Sequence, residues 1–298
     1  MSDTGWVAGD GDGRERVSAA ALITAVLAAV LGAGQLWVGN AVGVLAWRGD
    51  ESPGGVVDES AIVVWITAAT VSLAAAAPIL LRRTAPSASL RRRLVAMAVV
   101  GASITAPVAI GIASWQQMFG GDLPQSRIML LVTTGVVLGG GVAFLTARSQ
   151  PAAWSQLYWL VIGWGLMCVS VAADPRTSPT LGHLDPGPDW SADSRQWQGR
   201  LVLLAVAAVV GTTLGASARI LRWRVGCHGP ERPLLPVLST AAGPGLMLTS
   251  YAVAAGLEGQ WRIGPLADLV AAGFATVLTG YLGITLIRRC RPAPATGT

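Results

Sequence analysis

The polar and apolar positions alternate on a long scale along this chain. No charged side chain occurs in residues 17–47, 60–81, 94–121, 128–147, 149–173, 201–218, 233–257 or 269–287. The shortest of these eight windows, "LVLLAVAAVVGTTLGASA", has 18 residues. A helix rises about 1.5 Å per residue, so about 20 apolar residues cross the hydrocarbon core of a bilayer. Each window holds one crossing, and none holds two with a turn. A membrane β-barrel would show strands of about ten residues alternating apolar and polar, and 201–218 has no such alternation. In lipid, backbone groups must find partners within their own segment, which a helix provides. The pattern predicts helices over 18–46, 60–81, 94–115, 126–147, 152–173, 200–221, 234–256 and 265–287. The expected fold is an all-α polytopic bundle of about eight transmembrane helices.

The connectors carry what charge there is, and its distribution gives a direction. Assigned alternately to two sides, they place 15 arginines and 5 acids on one side, and 6 arginines and 11 acids on the other. Short cytoplasmic loops are enriched in basic residues, which resist translocation. Both termini are therefore expected in the cytoplasm. The segment "RRTAPSASLRRR" (82–93) becomes the cytoplasmic turn between the second and third helices, with Arg82, Arg83, Arg91, Arg92 and Arg93 as topology anchors near anionic headgroups. Residues 1–16 read as a flexible cytoplasmic tail, 17–289 as the membrane domain with its longest outer loop at 174–199, and 290–298 as a second tail. A signal peptide ending at "GAG" (32–34) is disfavoured, because the apolar run continues to Trp47.

Composition sharpens this reading. Hydrophobic residues make up 52% of the chain and charged residues 12%, where soluble domains carry about 25%. Every basic residue is arginine, and Ala and Gly abound, which is a high-GC coding bias. The expected location is a bacterial cytoplasmic membrane. The pI is about 9.8, but the arginines sit at membrane edges, so no nucleic-acid partner is expected. Cys168 falls in the fifth helix and Cys227 and Cys290 on the cytoplasmic side, so no external disulfide is expected. Trp37, Trp47, Trp115, Trp154, Trp159, Trp223 and Trp261 fall near helix ends, where indoles favour the interface. Trp65 and Trp164 are deeper and are expected between helices.

Candidate chemistry is sparse. No ionisable residue falls at a helix centre, and Glu59 and Asp268 are expected at outer ends within reach of solvent. This disfavours proton coupling, and no protease-like set of residues occurs. The cluster His183, Asp185, Asp189 and Asp193 is the one grouping of metal-ligand type. Proline and glycine between its members leave no fixed geometry, so no metal, cofactor or catalytic residue is assigned. The acid pairs Asp50/Glu51 and Asp58/Glu59 have some similarity to the acidic outer-loop residues of membrane glycosyltransferases that use lipid-linked sugars, without a motif around them. The GxxxG pairs 39–43, 135–139 and 211–215 permit close helix approach, but 37 glycines in 298 residues give such pairs by chance. "GGG" (139–141) is expected to loosen the fourth helix.

Prolines inside apolar segments are more informative. Pro78, Pro107, Pro236 and Pro244 each remove a backbone donor. "SITAPVAIG" and "AAGPGLMLTS" predict kinks in the third and seventh helices, and broken helices at mid-membrane often line transport sites. Thr105, Pro107, Gly243, Pro244, Gly245, Thr249 and Ser250 are the candidate substrate path. The leading expectation is a permease-like component for a neutral or lipophilic substrate, with another membrane subunit or an ATPase as partner. The alternatives are a non-catalytic accessory subunit whose glycine-rich faces pack on a larger complex, and an enzyme acting on a lipid-linked substrate at the outer face. The topology is checked with reporter fusions: those after Arg83, Arg222 and Arg291 read cytoplasmic, and those at Gly54, Gly187 and Gly259 read external. Two or more reversed signals contradict it.

Overall fold

The computed structural model describes residues 10–47, 53–82, 87–117, 124–173, 179–181, 192–224 and 234–289. The described residues form ten helices and no strand: α1 (Asp10–Ala41), α2 (Pro53–Arg82), α3 (Ala88–Ser103), α4 (Thr105–Gln117), α5 (Gln125–Thr146), α6 (Gln150–Ala173), α7 (Ala192–Arg224), α8 (Leu234–Ser239), α9 (Ala242–Glu258) and α10 (Ile263–Arg289). Among them, seven segments are long and apolar enough to cross a membrane: Ser18–Ala41, Gly55–Leu81, Ala88–Gln116, Gln125–Thr146, Gln150–Ala173, Gln198–Ala218 and Ile263–Thr285. The third of these is α3 and α4 joined through a turn at Ile104. The crossing expected at 234–256 is divided. Six residues form α8 and 17 form α9, with Thr240 and Ala241 as a turn between them.

Local boundaries differ from expectation in ways the chemistry explains. α1 begins at Asp10, so residues 10–16 of the expected tail are helical. The same helix stops at Ala41 instead of Ala46, because Gly43 turns left-handed (φ +78°). The Leu45 N–H then reaches back to the Gly39 carbonyl at 3.0 Å. Val44, Leu45 and Trp47 fold under the bundle and are buried. Trp47 and Trp159 are thus core residues and not interfacial ones. Trp65 is buried as expected, and Trp37, Trp115 and Trp261 are more than half exposed, as an interfacial belt requires. Residues 192–199, placed in the expected outer loop, belong to the first turns of α7.

α2 is the axis. Within its apolar window 89% of residues are buried, against 28–44% in the other six spans. It packs against α1, α3, α5, α6 and α9. Glycines bring its neighbours close. A Cβ on Gly135 of α5 would come 2.8 Å from the Val64 carbonyl oxygen, and one on Gly139 would come 2.6 Å from that of Ala68. The expected loosening by 139–141 therefore does not occur; α5 is unbroken, and Gly139 serves backbone approach. α7 and α10 pair in the same way, with Gly211 against Thr276 and Thr279, Gly215 against Gly280, and Gly283 against Thr212. All three GxxxG pairs named above are consumed by contacts inside the chain.

Candidate functional site at the N-terminal end of α2

Three consecutive residues near the start of α2 are Asp58, Glu59 and Ser60. Consecutive helical side chains diverge by about 100°, so each meets a different neighbour. The Arg262 guanidinium donates to Asp58 Oδ2 at 2.8 Å, and the Thr180 hydroxyl donates to the same oxygen at 3.1 Å. Glu59 Oε1 accepts from the Ala46 N–H at 3.0 Å. The Ser60 hydroxyl donates to Glu258 Oε1 at 2.8 Å, and Arg127 Nε donates to that oxygen at 3.0 Å. A second arginine nitrogen meets the other Glu258 oxygen. One helical turn thereby fastens the α1–α2 connector, the segment after α6, and the ends of α5, α9 and α10. Arg200 pairs with Asp268 at 2.8 Å and ties α7 to α10 at the same end.

This corrects the expected exposure of these acids. Asp58, Glu59 and Asp268 are 2%, 3% and 7% exposed; the chain itself encloses them. Buried carboxylates persist only when paired and hydrogen-bonded, which explains the arginines at 127, 200 and 262. The connector is held firmly enough that Trp47 keeps a left-handed backbone (φ +53°), which costs about 1–3 kcal/mol for such a residue. Buried polar atoms are concentrated nearby. Asp58 Oδ1, the Tyr251 hydroxyl, the Ser250 hydroxyl and the Trp47 Nε1–H have no protein hydrogen-bond partner. Tyr251 is wholly buried and lies close enough to Asp58 and Arg262 to interact with their charges.

Below this end, the break between α8 and α9 is stitched by α6. The Ser155 hydroxyl donates to the Thr240 carbonyl at 2.5 Å and accepts from the Gly243 N–H at 3.0 Å. Gln156 Nε2 donates to the Ala242 carbonyl at 2.7 Å. The break thus falls at Thr240–Ala241, ahead of Pro244. Proline then occupies the first turn of α9, where its missing N–H leaves no bond unmade. Gly243 is needed because a Cβ there would strike the Trp159 side chain. A second polar link joins α1, α2 and α6, where Trp164 Nε1 donates to Gln35 Oε1 at 3.0 Å and Gln35 Nε2 donates to Thr70 Oγ1 at 3.1 Å.

The residues expected to line a path do not share one place. Thr105 is buried against Gly32 of α1, with its hydroxyl on the Ala102 carbonyl, while Pro107 faces outward. Thr249 is exposed and satisfied by the carbonyls of Gly245 and Leu246. Gly243, Pro244 and Ser250 are buried along α9, and Gly245 is partly open. His183, Asp185, Asp189, Asp50, Glu51 and Arg83 lie outside the described residues, as do Cys227 and Cys290. Among the described residues no group of three or more metal-type ligands occurs. Sequence reasoning missed Arg127, Arg262, Glu258, Ser155, Gln156 and Tyr251. The available signal was a polar residue inside, or at the edge of, an otherwise apolar window.

No protein-family model, curated protein or solved structure matches this chain. The ion pair at the centre of the cluster is tested by a double-mutant cycle. Arg262→Gln strands the buried Asp58 carboxylate and costs about 1–3 kcal/mol, seen as a lower unfolding temperature in detergent. Asp58→Asn added to Arg262→Gln restores part of that loss, since the uncompensated charge is gone. Additive losses contradict the pairing.

Proposed function

We propose that this protein is a permease-like component of a bacterial cytoplasmic membrane. It crosses eight times with both termini inside, and α8 and α9 together make one discontinuous crossing. The substrate is neutral and carries hydrogen-bonding groups. It moves along α9, between the break at Thr240–Ala241 and the polar cluster at Asp58.

The observation that carries this reading is the run of unpartnered buried groups along α9 and α2. Ser250 lies eight residues beyond Ala242, about 12 Å along the helix, and its hydroxyl, that of Tyr251 and Asp58 Oδ1 lack protein partners. Buried polar atoms without partners are costly, so a succession of them favours water or a polar ligand passing there. The paired charges Asp58–Arg262 and Glu258–Arg127 largely cancel, which favours an uncharged cargo. Among the described residues no carboxylate or histidine lies at the middle of a span, so the energy comes from a partner such as an ATPase or from the substrate gradient. The accessory reading loses part of its support, because Gly39, Gly135, Gly139, Gly211 and Gly215 of the GxxxG pairs meet neighbours within the chain. The enzyme reading is weakened because Asp58 and Glu59 are engaged by Arg262, Thr180 and Ala46.

Thiol accessibility tests this. In a cysteine-free background, Ser250→Cys reacts with a charged, membrane-impermeant reagent added from outside. Thr249→Cys, next along the helix but facing hydrocarbon, reacts at least about tenfold more slowly, because lipid excludes the charged reagent. Equal inertness at both positions removes the path; if a membrane subunit then co-purifies, the accessory reading replaces it.

A further inference from the structure

The described arginines fall into two sets. Arg127, Arg200 and Arg262 each face a carboxylate. Arg91, Arg92, Arg93 and Arg148 have no such partner among the described residues, and every carboxylate whose side chain is described lies at the opposite end of the bundle. α5 returns alongside α3 and α4, as the Gln125–Ser114 hydrogen bond shows at one end and the approach of Gly140 to Val99 shows midway. Arg148 lies eight residues beyond Gly140, and Arg91 eight before Val99. The two arginines therefore stand at one level, Arg91 on α3 and Arg148 in the turn that follows α5.

The Arg91 Nε is enclosed by the protein and has no acceptor, so this level holds a cationic donor that nothing described in the chain satisfies. Ser87 and Ser89 add two hydroxyls 3.2 Å apart at the same level. Directly below, the surface is apolar and open. Val100, two helical turns from Arg93, and Leu145, one turn from Arg148, are 59% and 63% exposed. Guanidinium groups at headgroup depth above bare aliphatic side chains match one ligand chemistry, a phosphate ester carrying acyl chains. A guanidinium binds phosphate through paired N–H donors.

We propose that Arg91 and Arg148 hold the phosphate of an anionic phospholipid at this level, with Arg92 and Arg93 attracting it electrostatically. The site does not depend on the transport reading. Native mass spectrometry of the detergent-solubilised full chain tests it, with phosphatidylglycerol, phosphatidylcholine or inorganic phosphate added. Wild-type protein retains phosphatidylglycerol over phosphatidylcholine, with about a fivefold preference per contributing arginine. Arg91→Gln and Arg148→Gln each lower that preference. Arg148 is exposed in a turn, so its variant keeps the test open if Arg91→Gln does not fold. Equal retention of the two lipids, or an unchanged preference in Arg148→Gln, overturns the proposal. Displacement of the lipid by equimolar inorganic phosphate overturns it too, by making the site one for free phosphate.

Discussion

Enclosing α2 is the constraint on which the rest of the structure depends. A helix surrounded by other helices has neither water nor lipid headgroups to satisfy its polar side chains, so each must be met by protein. Thr67 and Ser72 return to their own backbone carbonyls, Thr70 takes Gln35, and Asp58, Glu59 and Ser60 take Arg262, the Ala46 amide and Glu258. In lipid there is no hydrophobic drive between helices, so close packing and hydrogen bonds must hold the bundle. Gly135 and Gly139 let α5 approach the α2 backbone, and the polar turn at its N-terminal end fixes the register of five other segments. Removing either device leaves α2 with unsatisfied groups or with gaps.

The two interrupted crossings behave differently under this constraint. At Ile104 the chain repairs itself: the Ile104 N–H bonds the Gly101 carbonyl at 3.2 Å, and Thr105 closes on Ala102. At Thr240–Ala241 the repair comes from another helix, through Ser155 and Gln156 of α6. The α8–α9 pair therefore depends on its neighbour for its shape. α9 ends at Gly259, left-handed at φ +66°, where the Gln260 N–H bonds back to the Ala255 carbonyl at 3.0 Å. Arg262 follows at once and locks that turn to α2. The unpartnered hydroxyls of Ser250 and Tyr251 lie between these two fixed points, which is why they carry the functional reading.

Much of the architecture was legible in the sequence, since hydropathy measures the cost of transferring a segment into lipid. The helical segments followed from it, the interruptions near Thr105 and Pro244 from the prolines, and the burial of Trp65 from its depth within its segment. Which helix stands at the centre did not. α2 has a mean hydropathy of 2.0, and α1, α3–α4, α5 and α7 lie between 2.0 and 2.2, because lipid-facing and helix-facing surfaces are equally apolar. Pairing was also invisible. Asp58 and Arg262 are separated by 204 positions, and nothing local to either marks the other. The early end of α1 escaped notice because Gly43 lies inside an apolar run that reads as helix, and Trp47 was assigned to the interface on that basis. The break was placed at Pro244 because proline is the visible disruptor, but proline suits a first turn, and the actual break is decided by α6 across the interface.

A lipid-phase photolabel tests the enclosure of α2 most directly. A hydrophobic carbene precursor dissolved in the bilayer inserts into whatever side chains face it, and peptide mapping reads the positions on the unmodified chain. The account predicts heavy labelling on the exposed stripes of α1 (Leu22, Ile23, Val26, Val30), α7 (Leu201, Val209) and α10 (Phe274, Leu278). It predicts essentially none between Ala61 and Ala76 of α2. Labelling at Val63, Val64 or Val71 comparable to that of α1 would place α2 at the lipid boundary and contradict the arrangement on which the polar cluster and the proposed path along α9 both rest.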